Sequence, residues 1–277
     1  MKLSGIKSLA LAFSAAIAFA FPVVAQEQPQ GEDGVNFKNR PMKAAFAAKP
    51  VVIDGKLDDE VWKSATVYDF ETFVDPSSGS LPEYLNKRKD KTVKEKGKIR
   101  IAWDKDYVYI SADMTDSDLY CYGEGDQYHY YKDGDVLEVF LKPENNDNET
   151  WYWELYCAPN GSKTAFFFPG MGCKIFPEAE KYPIEGQKAG AVTDGTVNKW
   201  EDKDKGWTAE MAVPIKDLTS RGEKIGPGSK WKILVSRYNY NRYFTSPELS
   251  SFPQLSKPNY HICEEYALIE FEPDFIK

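Results

Sequence analysis

From residue 98 onward, apolar side chains return at every second position in one short run after another. In KIRIAW, Ile99, Ile101 and Trp103 share one face while Lys98 and Arg100 point away. A turn at Asp104-Lys105-Asp106 leads into YVYISADM, so the two runs read as a hairpin. DVLEVFL sets Leu137, Val139 and Leu141 against Val136, Glu138 and Phe140. WYWELYC, the turn APNG, SKTAFFF, GWTAEMAVP, KWKILVSRYNY and YALIEFE follow. A period of two is the geometry of a pleated strand with one face buried, and a helix cannot use it. Helical signal is confined to residues 57–65 and 215–220. The expectation is an all-β antiparallel β-sandwich of the jelly-roll kind, with one short N-terminal helix and long loops. Residues 75–98 and 169–206 break the pattern and read as irregular connections, the first carrying a solvated charge run.

That helix lies in VVIDGKLDDEVWKSA, residues 51–65. Residues 51–53 are β-branched and read as a short strand, and Asp54-Gly55 as a turn. Asp58 is placed to cap a helix, with Asp59 and Glu60 in its first turn, where the helix dipole favours negative charge. Leu57, Val61, Trp62 and Ala65 fall on one face, with Trp62 as the core anchor.

The N-terminus has Lys2 and Lys7 ahead of an apolar run and a small-residue site at Ala25, the pattern of a secretory signal peptide over residues 1–25. Residues 26–45 are polar and read as a flexible leader, and residues 46–277 as one domain. The expected location is exported: periplasmic, cell-surface or secreted. No later stretch is apolar enough for a membrane span. Loss of Lys2 and Lys7 with the signal takes the formal charge from −8 to −10, which disfavours nucleic acid and anionic membranes as partners. Cys121, Cys157, Cys173 and Cys263 would allow up to two disulfides in an oxidising compartment, in any of three pairings, or stay as buried thiols.

Taken in order, VIDGKLDDEVWKSA, IRIAWDKDYVYISADMTDSDL, DVLEVFLKP, GWTAEMAVPIKDL, WKILVSRYN and NYHICEEYALIEF resemble the family 9 carbohydrate-binding modules and the wider DOMON-like sandwiches, over about residues 46–272. The resemblance implies a β-sandwich that binds an oligosaccharide or polysaccharide, often at chain ends and in company with a glycoside hydrolase. It implies two clamping aromatic rings and polar groups that fix sugar hydroxyls. By position these fall on Glu138 in DVLEVFL, Glu154 on the next strand and Tyr260 before the last strand. The first ring falls beside Lys132, on Tyr131, with Tyr128 and Tyr130 near. The family's tryptophans are absent at both ring positions.

The residues themselves agree with a sugar site. Pyranoses offer apolar C–H faces and a rim of hydroxyls, which suit flat rings beside charge-assisted hydrogen-bonding groups. YCYGEGDQYHYY (120–131) and YNYNRYF (238–244) are dense in tyrosine and polar groups. Arg237 is read either as a polar sugar contact or as a partner of Glu138, and His261 as a sugar donor or a cap on the last strand. Replacing Tyr260 by Ala is expected to weaken binding without unfolding.

No cofactor is required on this reading. Asp113, Asp116 and Asp118 in DMTDSDL are spaced for a structural calcium, with a solvated acidic turn as the competing reading. Haem of the b type would draw on Met114, Met171, Met211, His129 or His261. The enzyme alternative is a jelly-roll glycoside hydrolase using Asp133 and Glu138, whose spacing in DGDVLE approaches a Glu-x-Asp-x-x-Glu strand. A structural sandwich without sugar affinity is the third reading.

Overall fold

The computed structural model describes residues 41–77, 92–144, 150–170 and 181–273. The signal-peptide segment, most of the polar leader, most of the charge run, Met171 and Cys173 lie outside them. The strands are β1 (Met42–Phe46), β2 (Tyr68–Asp69), β3 (Gly97–Trp103), β4 (Tyr107–Thr115), β5 (Val136–Pro143), β6 (Tyr152–Cys157), β7 (Lys163–Phe168), β8 (Lys188–Asp194), β9 (Gly206–Pro214), β10 (Trp231–Asn239), β11 (Glu248–Phe252) and β12 (Ala267–Phe271). Two short helices, α1 (Glu60–Ser64) and α2 (Ile215–Leu218), complete the fold among the described residues. None of their helices is long and apolar enough to cross a membrane.

The strands join in the order β7-β6-β5-β10-β12-β1-β3-β4-β9-β8, with β11 on β10 and β2 on β3. This path folds over into two layers. The alternating apolar positions read from the sequence meet between them: Ile99, Ile101 and Trp103 from one layer, Leu137, Val139 and Leu141 from the other. The sandwich expected from period two is present, and most of its pairs are antiparallel. The exception is β1, which runs parallel to both β12 and β3.

Both outer faces are also covered. α1 lays Val61, Trp62 and Ala65 over Ala45, Ala102, Tyr109 and Ala212, where alanines leave room for the indole. On the opposite layer, Phe73, Leu255, Tyr260 and Tyr266 from two connecting segments cover Phe140, Tyr152, Tyr156, Phe166 and Tyr238. This second aromatic layer positions the candidate site.

Several local expectations change. Residues 42–45, assigned to the leader, are a central strand with Met42 and Ala44 fully buried. Residues 188–194 form β8 in a stretch expected to be irregular. Residues 51–53 are not a strand. Asp59, not Asp58, occupies the N-cap position of α1, and its carboxylate accepts from the Val52 amide at 3.2 Å instead of capping. The Asp-Gly turn and Trp62 are instead organised by Glu210 on β9. Its buried carboxylate accepts from the Trp62 indole N–H at 2.7 Å, the Gly55 amide at 2.8 Å and the Asp54 amide at 3.1 Å. Gly55 has φ +82°, and a Cβ there would lie 2.7 Å from the Ala191 carbonyl carbon on β8, so only glycine fits.

Candidate functional site

The outer face of β5, β6 and β10 carries an acid pair. Glu138 lies opposite Tyr156 on β6 and Ser236 on β10, and Glu154 lies opposite Phe140. The two glutamates are therefore diagonal neighbours on one face. Both are buried, at 2% and 5% exposure. Ser236 Oγ donates to Glu138 Oε2 at 3.3 Å, and the Tyr156 hydroxyl donates to Glu154. Neither carboxylate forms an ion pair among the described residues. Burial raises the Glu138 pKa well above the carboxylate range, with the neighbouring Glu154 adding to it. Burial takes Glu154 to about 7.

Aromatic rings surround this pair. Tyr238 follows Ser236 on the same face of β10. Tyr131, half buried in the middle of a short 3₁₀ turn (Tyr130–Lys132), leans on Tyr238 with ring centroids 5.6 Å apart. Tyr260 meets Tyr238 edge-on at 5.4 Å and packs on Phe73 and Phe140. Its hydroxyl lies within donating distance of the Arg237 and Ser250 carbonyls, at 2.9 and 3.0 Å. His261 Nδ1 is 2.9 Å from the Tyr152 hydroxyl, and its ring meets Phe140 edge-on. Burial lowers His261 to about 4, so it is neutral at pH 7.

Five of the six residues named as sugar contacts thus gather on one face: Tyr131, Glu138, Glu154, Tyr260 and His261. Tyr260, at 5% exposure, is a core ring of that face, so truncating it would open the core as well as the site. Arg237 does not join them. It lies opposite Leu137, so its side chain enters the inner face, fully buried. There it pairs with Asp116 at 2.8 Å and donates to the Thr115 carbonyl at 2.9 Å. It is not a partner of Glu138. Tyr238, from the tyrosine-dense stretch 238–244, belongs to the face, and so do Tyr156 and Ser236, which the sequence reading does not name. Parity across the strands would have found them, given the register.

The acids of DMTDSDL part company. Asp113 is exposed on β4, Asp116 holds Arg237, and Asp118 accepts from Arg242 through its amide and guanidinium. Among the described residues, no group of three or more His, Cys, Asp or Glu is arranged to hold a metal ion. Met114 and Met211 lie in the inter-layer core, away from the face that holds His261. Asp133 falls before β5 begins, and its carboxylate accepts from the Tyr128 hydroxyl. It therefore does not share a strand with Glu138, as the hydrolase pattern requires. Cys121, Cys157 and Cys263 are free, buried thiols.

Two solved structures share the fold. One is a Bacteroides uniformis protein thought to bind carbohydrate, with TM-score 0.59 and 13% identity, covering 84% of this chain and 99% of that one. The other is a family 9 carbohydrate-binding module from Caldicellulosiruptor kristjanssonii in complex with cellotriose, with TM-score 0.55 and 14% identity, covering 84% and 94%. By sequence, 120 residues are 32% identical to endo-1,4-beta-xylanase A of Thermoanaerobacterium saccharolyticum, a match over 43% of this chain and 8% of that enzyme. The profile of the carbohydrate family 9 binding domain-like family matches residues 53–228. The chain belongs to that family.

Proposed function

We propose that this protein is an exported, non-catalytic module that binds a β-linked glycan of the glucan or xylan type alongside polysaccharide-degrading enzymes. The observation that carries this reading is the pair Glu138 and Glu154, buried together among aromatic rings with no ion pair to either among the described residues. Two such carboxyls are costly to keep in a core, and an apolar pair of the same volume would be cheaper. Sugar hydroxyls suit such carboxyls, since a protonated carboxyl donates and an ionised one accepts, and Tyr131 at the rim is the ring placed to stack on a pyranose face. The cellotriose complex and the xylanase relative support the choice of glycans to test.

Calorimetry with cello- and xylo-oligosaccharides, after a glycan array, tests the reading. Saturable binding is expected, weakened at least about tenfold by Glu138→Gln in a protein that melts no lower than wild type. A blank array, or unchanged affinity in Glu138→Gln, refutes it. A cleaved N-terminus near Ala25 in protein recovered outside the cytoplasm would establish export.

A further inference from the structure

We propose that the two tyrosine-rich loops extend the face site into an open aromatic track that takes the internal stretch of a polysaccharide chain, an inference that rests on the glycan-binding reading. The loops are far apart in sequence and meet at one end of the sandwich. Tyr131 leans on Tyr238 at the mouth of the face. The Tyr240 hydroxyl donates to the Tyr131 carbonyl at 2.6 Å. Tyr120 stacks on Tyr240 at 6.0 Å with 25° between the planes, and Tyr122 stands 4.8 Å from Tyr120. Exposure climbs along the series, from 8% at Tyr238 to 37% at Tyr120 and 59% at Tyr122.

The track is held from beneath. The buried Asp135 carboxylate accepts from the Tyr120 amide at 2.8 Å and the Tyr240 amide at 2.7 Å, so one side chain fixes both ring-bearing loops. The Asn198 amide side chain accepts from the Cys121 N–H at 2.8 Å and donates to the Cys121 carbonyl at 2.6 Å, between the two outer tyrosines. Asp204 accepts from the Leu119 amide at 2.7 Å. The Tyr122 amide donates to the Asp133 carbonyl at 3.0 Å, so the backbone is held on both sides of Tyr120 and up to Tyr122 while both rings stay in water. A ligand that stacks on rings gains from such pre-organisation, because less freedom is lost on binding. The acid pair is nearly closed from solvent, so most of the contact area for a chain must come from the rings outside it. A neutral glycan chain, with alternating apolar faces and hydroxyl edges, is the occupant that fits a track continuous with that pair.

The test uses the full chain and calorimetry against glucose, cellotriose and cellohexaose, the matching xylose series, and borohydride-reduced cellohexaose. The track predicts that one hexaose binds at least about tenfold more tightly than its trisaccharide, and that reduction of the chain end changes nothing. Tyr122→Ala should cut hexaose affinity about tenfold and leave the melting temperature unchanged, while Tyr122→Phe retains binding. Equal affinity for short and long sugars, loss of binding on end reduction, or an unaffected Tyr122→Ala variant would overturn the track. If Glu138→Gln abolishes binding while Tyr122→Ala does not, the track fails and the face site stands. If no sugar in either series binds, both fail.

Discussion

Arg237 and Ser236 are neighbours on β10, and that one-residue step sends their side chains into different chemistry. Ser236 reaches Glu138 on the outer face, whereas Arg237 reaches Asp116 inside. Burial raises Asp116 to about 6, against the attraction of Arg237, and at pH 7 it remains ionised. Removing the arginine would strand that charge in the core. Arg237→Ala is therefore expected to lose about 3–5 kcal/mol in urea unfolding. Sugar affinity of the folded fraction should be unchanged. A stable variant with weakened affinity would instead return Arg237 to the ligand site.

At the scale of elements, α1 depends on a strand remote in sequence. Glu210 on β9 takes three donors from the turn and helix at residues 54–62. Glu210→Ala leaves those donors buried or strained and should destabilise the fold by about 3 kcal/mol or more, read from thermal melts with Trp62→Ala as a reference. The acid pair joins β5 to β6 and gives stability a pH dependence. Glu154 titrates at about 7 in the folded protein against an ordinary 4.5. The folded state therefore binds its proton more tightly between these values, and this contribution is full below about 4.5 and lost as pH rises through 7. His261 works the other way, at about 4 against an ordinary 6.5. Its neutral burial is free above 6.5 and increasingly costly as pH falls towards 4. Glu154→Gln should thus stabilise at pH 8 by roughly 2 kcal/mol and by much less at pH 5. Equal shifts at both pH values would contradict the assignment.

For the whole molecule, two sheet layers with both outer faces covered shield the thiols. Cys121, Cys157 and Cys263 are buried and unpaired, and burial pushes their pKa values to about 11, 12 and 11. A thiol kept protonated and out of solvent does not alkylate. Iodoacetamide mapping should label none of the three in the native protein and all of them in urea. The fold therefore draws its stability from two aromatic-rich cores, one between the layers and one over the outer face of β5, β6 and β10.

The amino-acid sequence by itself determined which side chains share a face. Period two is a property of one strand, so the inner rows at residues 99–103 and 137–141, and the company of Glu138 with Phe140, were legible without a structure. The Asp-Gly turn and the apolar face that carries Trp62 were legible from nearby residues, whereas their anchoring by Glu210 was not. The tertiary structure decided everything that depends on who lies opposite whom. β1 escaped notice because MKAAF is short and carries alanines, and its strand character comes from being flanked by β12 and β3. β8 escaped because its small residues lie under the Asp54-Gly55 turn and alternate weakly. The meeting of Glu138 with Glu154, the capture of Arg237 by Asp116 and the joining of two tyrosine loops through Asp135 are cross-strand events. Local patterning sets the face of a side chain, but register and strand order set its neighbours, and these are settled only when distant segments pack.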